Sequence, residues 1–126
     1  MTYTKNSSRT PDEIDARLRE AAQRHKFGVL NVQDLKATLQ SKGIDLGSEC
    51  RIYDVCNPQA ATKALRNEMT ASVVLPCRIS VFSDGRGSKI ATVKPTDLLE
   101  ATGIAGVEGL AKEVEREVVA IIDEAA

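Results

Sequence analysis

The sequence predicts an α+β fold, and three observations carry the prediction. Helical stripes are separated by short segments of two-residue period, two of those segments are joined by a hairpin turn, and the C-terminal segment bears a long apolar stripe. Four strands are predicted, and the hairpin favours antiparallel packing over a doubly wound parallel sheet.

Residues 1–9 are polar and read as a flexible N-terminal tail, leaving 10–126 as a single α+β domain. Thr10-Pro11-Asp12-Glu13 then forms a capping box, with a hydroxyl at the cap, proline at the first helical position and glutamate at the third. Ile14, Leu18, Ala21, Ala22 and His25 follow on one stripe of that helix. Phe27 to Val32 reads as the first strand, and a helix from Asp34 to Lys42 carries Leu35 and Leu39 one turn apart. Gly43 suits a left-handed C-terminal cap, with Ile44 available to cover it.

Arg51 to Cys56 is the second strand, ended by Asn57-Pro58, which cap and open a helix containing Ala61, Leu65 and Met69. The third strand spans Ser72 to Phe82, with Val73, Leu75, Cys77, Ile79 and Val81 on its core face and Arg78 and Ser80 opposite. Pro76 lacks an N–H for the ladder, so this strand is expected at a sheet edge or bulged there. Ser83 to Gly87 reverses the chain into the fourth strand, Lys89 to Lys94, and Pro95-Thr96-Asp97 starts a short helix to Thr102. Val107, Leu110, Ala111, Val114, Val118, Ile121, Ile122 and Ala125 mark the last, long amphipathic helix. Glu108, Lys112, Glu113, Glu115, Arg116 and Glu117 lie opposite as a solvated, charge-paired face.

Composition narrows the function. Hydrophobic residues at 42% and charged residues at 28% describe an ordinary globular domain, and aromatics at 3% without tryptophan require an aliphatic core. A net charge of -1 leaves no basic surplus for a phosphate backbone, so nucleic acid is not an expected partner. No apolar run nears the roughly 20 residues that span a bilayer, and no apolar segment follows the polar start, so a soluble cytoplasmic protein without a membrane partner is expected. Three cysteines in a reducing compartment are expected to stay thiols.

Cys56-Asn57-Pro58 is the motif richest in chemistry. A thiol ahead of a capped helix faces the amide end, which favours thiolate and offers donors to an anion; the plainer reading makes Cys56 a small buried apolar residue. Cys77 reads either as core or, beside Cys56, as half of a redox or soft-metal pair. Two sulfurs without Cys-x-x-Cys spacing do not make a metal site, and none is assigned. Cys50 reads as a strand-start residue, and the single histidine, His25, as packed or interacting with a helix C-terminus rather than catalytic. Asp84-Gly85-Arg86-Gly87 lacks the lysine and hydroxyl of a phosphate loop and reads as a hairpin. Thr102 to Gly106 reads as a helix-to-helix connection.

Phe27-Gly28-Val29-Leu30, Lys36-Ala37-Thr38-Leu39, Cys56-Asn57-Pro58-Gln59-Ala60, Leu75-Pro76-Cys77-Arg78, Asp84-Gly85 and Pro95 together resemble the bacterial and archaeal domain-of-unknown-function family 302. The likeness runs from Phe27 to Ala125. It implies that the four predicted strands form a curved, mainly antiparallel sheet in a small α+β fold related to the TATA-binding-protein-like group, backed by a long C-terminal helix, and it implies a homodimer. Fold alone carries no DNA binding. Some family members have histidine where this chain reads Asn31-Val32-Gln33-Asp34-Leu35, so no site relying on that imidazole transfers, and Cys50 has no family counterpart.

Three functions follow as expectations. The first is small-ligand binding, with an anion at Cys56, Asn57, Pro58, Cys77 and Arg78. The second is thiol-based redox, sulfur or soft-metal chemistry at Cys56 and Cys77, and the third a structural homodimeric module. No cofactor and no reaction are assigned.

Overall fold

The computed structural model describes Met1–Ala126. Its elements in order are β1 (Thr2–Ser7), α1 (Pro11–Arg24), β2 (Gly28–Asp34), α2 (Leu35–Gln40), β3 (Cys50–Cys56), α3 (Pro58–Asn67), a 3-10 helix (Met69–Val74), β4 (Cys77–Ser83), β5 (Ser88–Val93), α4 (Pro95–Thr102) and α5 (Glu108–Ala125). The strands form one open antiparallel sheet in the order β1-β5-β4-β3-β2.

The sheet has five strands rather than four, because the segment expected as a tail is β1, paired along its length with β5. No apolar run marks it. Side chains bind it to α5 instead: Tyr3 donates to Asp123, Lys5 lies 3.9 Å from the same carboxylate, and Ser7 Oγ donates to the Ala126 carbonyl at 2.9 Å. Hydroxyl and aromatic side chains suit a half-buried strand.

Cys77 begins the third expected strand, five residues later than its alternating pattern suggests. Met69–Val74 turns as a 3-10 helix in which Thr70 N donates to the Glu68 carboxylate, so the two-residue period does not apply and Val73 is 67% exposed. Pro76 follows a cis peptide and precedes the ladder. It therefore interrupts nothing, and β4 sits inside the sheet between β3 and β5 rather than at an edge. Likewise α3 ends at Asn67 because Glu68 is extended, which leaves Met69 exposed. Ile44 is exposed too, while its N–H closes the end of α2 on the Leu39 carbonyl at 3.0 Å and Gly43 adopts the left-handed conformation at φ +79°.

The capping box and the hairpin turn are borne out. Thr10 Oγ1 accepts from Glu13 N at 3.2 Å while the Glu13 side chain reaches back to Thr10 N. Asp84 Oδ1 accepts from Arg86 N and Gly87 N, both at 3.0 Å, which fixes the β4–β5 hairpin.

The apolar interior has two parts. In the larger, Ile14 and Leu18 of α1 and Val118, Ile121 and Ile122 of α5 pack on Tyr53, Val55, Ile79, Val81 and Ile90 of the sheet. The smaller joins Ala64, Ala71, Leu99, Val107 and Ala111 where α3, the 3-10 helix, α4 and α5 meet. Small residues dominate this second cluster, so its helices approach closely but leave space at the seam with the first.

Candidate functional site

A cavity of about 60 Å³ lies along that seam. Its wall draws Phe27, Val55 and Cys77 from the sheet side and Ala64, Leu99, Val107, Ala111 and Val114 from the helical side, and Cys56 and Asn57 border it. The lining is almost wholly apolar. Water would find few partners there, and a polar cavity of this size would hold about four waters, so an apolar body is its matching occupant.

Three of the five residues expected at a site, Cys56, Asn57 and Cys77, therefore come together. Pro58 is exposed at the start of α3 and does not line the cavity. Arg78 points to the other face of β4 and lines a neighbouring groove, where its Nε lies 3.5 Å from Asp54 Oδ1. Cys50 is far along β3 and joins neither space.

The end of α3 does not offer the open amides that the sequence suggests. Pro58 has no N–H, Gln59 N and Ala60 N both donate to Asn57 Oδ1 at 3.1 Å, and Ala61 N donates to the Asn57 carbonyl at 2.9 Å. Every donor of the first turn is occupied. The asparagine that makes a good cap thereby removes the donors an anion would need.

The thiols are also pushed away from reactivity. Burial raises the Cys56 pKa above that of an ordinary thiol, and burial followed by the charge of Cys56 lifts Cys77 to about 11. Both are free thiols, and at neutral pH both meet the cavity as neutral, apolar groups. No group of three or more histidine, cysteine, aspartate or glutamate side chains is placed to hold a metal ion.

Sequence reasoning missed the polar groups that need tertiary contact. Tyr53 is fully buried, and its hydroxyl donates to Asp15 Oδ1 at 2.6 Å, beside Arg51, which binds Asp12 Oδ1 at 2.6 Å. Burial, then the Asp15 bond, drives the Tyr53 pKa far upward. Two members of the supposed solvated face of α5 do specific jobs. Glu115 accepts from Thr96 N and Oγ1, capping α4 where Lys94 supplies no side-chain cap, and Glu117 binds His25.

A five-stranded antiparallel sheet with helices packed about an apolar seam defines a small α+β domain, and no helix is long and apolar enough to cross a membrane. The chain belongs to the DUF302 family, a domain of unknown function, whose family model matches residues 3–125. The match thus takes in β1 from Tyr3 onward. The crystal structure of an uncharacterized conserved DUF302 protein from Bacillus stearothermophilus is similar to it at 30% identity and a TM-score of 0.93, covering 99% of this chain and 98% of that one. No curated protein matches the chain.

Proposed function

We propose that the domain binds a small ligand through an apolar body seated in the seam cavity, against Cys56, Asn57 and Cys77. The cavity itself carries this reading: an apolar space bordered by the strand-to-helix junction, with small alanines where larger side chains would close it. Its chemistry supports an apolar occupant rather than a bare anion, since the α3 amides are already bonded within the helix cap.

The test sets xenon and cyclopropane, both small enough for a cavity of about 60 Å³, against inorganic phosphate. The apolar probes are expected to raise the melting temperature and to shift the amide resonances of Ala60, Ala64 and Ala111, with phosphate inert. At ten times Kd the stabilisation would be about 1.4 kcal/mol. Ala64→Leu should fill the space and abolish the response. Silence toward the apolar probes would overturn the reading.

Thiol chemistry is the second reading, favoured by the meeting of Cys56 and Cys77 in one wall and opposed by their raised pKa values. The homodimer implied by the family is a separate proposal, and sedimentation velocity should give a single species of twice the chain mass.

A further inference from the structure

On the opposite side of the Leu75–Cys77 segment lies a second space, a groove of about 400 Å³. Its walls are Val73, Pro76, Val93 and Leu98, of which Val73 and Val93 are 67% and 37% exposed. Asp54 and Arg78, directly paired across β3 and β4, form its polar end. Asp54 Oδ1 is sealed from solvent and has no hydrogen-bond partner. Arg78 gives it only a loose charge contact, with Nε at 3.5 Å, and the sole bond to the other oxygen is a long one from Asn31 Nδ2, also 3.5 Å.

A buried carboxylate oxygen without a donor is costly, and it identifies what is wanted beside it. The Arg78 side chain is 75% exposed against 20% for Asp54, so solvent screens the guanidinium far more than the carboxylate. The Asp54 carboxylate is thus the less screened of the two charges at this end of the groove. We infer that the Asp54 groove binds a primary ammonium group carried on a short apolar body, the ammonium donating to Asp54 Oδ1 and the body lying along Val73, Val93 and Leu98. The ammonium takes the place of Arg78, which swings into solvent. This site adjoins the seam cavity across Val74, Leu75, Cys77 and Leu98 and takes a ligand of different chemistry.

Hexylamine, hexanol and hexanoate form a matched probe set, titrated into the full chain by calorimetry and amide NMR near neutral pH, where hexylamine is protonated. Hexylamine should bind at least tenfold more tightly than hexanoate and shift the amides of Asp54, Val73 and Arg78. Asp54→Asn should weaken hexylamine at least tenfold, while Arg78→Gln, at an exposed side chain, should strengthen it severalfold. Raised salt should weaken the amine more than the alcohol. Equal or tighter binding of hexanoate, or an unchanged affinity in both variants, would overturn the assignment. So would shifts confined to α3 and α5, which would place the alkyl chain in the seam cavity.

Discussion

At residue 56 the meaning of a short motif depends on which groups its neighbours have already used. The Cys-Asn-Pro sequence announced a helix start, and Asn57 does cap α3, but the same cap consumes Gln59 N and Ala60 N, so the feature that made the junction visible also closes it to anions. The apolar character of the site was legible in part, since Cys56 and Cys77 as small buried residues was one of the two readings of each. What favours the apolar reading is that Phe27, Leu99 and Val107 line the same cavity as the thiols, contributed by segments too distant in sequence to be placed beforehand. Burial of the sulfur opposes thiolate, the form that reacts. Cys77, with its pKa near 11, should therefore be alkylated by iodoacetamide at pH 7.5 at least tenfold more slowly in the native protein than in denaturant. Peptide mass mapping of each cysteine over time measures this, and equal native and denatured rates at Cys77 would restore the thiol reading.

Elements in this fold are joined by charge as well as by apolar packing, most plainly where α1 meets α5. His25 closes α1, donating its backbone N–H to Ala21 and Ala22, and its two ring nitrogens meet Glu117 and Glu124. Arg24 holds Glu124 at 2.9 Å, and Arg17 bonds the Glu124 and Ala125 carbonyls. The Glu124 bond, against desolvation and with Glu117, raises the His25 pKa, while His25 and then Arg24 lower that of Glu124. A raised histidine contributes stability that is full below its unfolded pKa of about 6.5 and lost as pH climbs through the folded value. A lowered glutamate contributes above its unfolded value of about 4.3 and loses that contribution as pH falls through the folded one. The clasp should accordingly be strongest between about pH 4.5 and 6.5. The melting-temperature difference between wild type and His25→Gln is expected to peak in that window and shrink toward pH 9, and a difference that grows with pH would contradict the clasp. The α1 and α5 stripes were legible because helical periodicity is a local property. The clasp was not, because its partners are about 90 to 100 residues apart.

For the molecule as a whole, the decisive element is the one with the weakest sequence signal. Periodicity located the four strands other than β1, and the capping box, hairpin and final helix located the rest. Strand β1 escaped because its stabilisation comes from the β5 ladder and from α5 rather than from apolar residues of its own. A single glycine records how closely it docks. A Cβ on Gly87 would lie 2.3 Å from the Ser7 carbonyl oxygen and 3.1 Å from Ser8 Cα, both backbone, so neither can move aside without lifting the end of β1. Lifting it strains the Ser7–Ser88 pairing, the Ser7 bond to the Ala126 carbonyl and the Ser88 Oγ bond to the Arg9 carbonyl, 2.9 Å long. Gly87→Ala should therefore destabilise the protein by about 1 to 3 kcal/mol, the usual scale for overpacking. Hydrogen exchange separates this from a general loss of folding. Amides of β1 and the start of β5 should lose protection while those of β3 and β4 in the sheet interior keep theirs, and uniform loss, or none, would show that the N-terminal strand is not held by this contact.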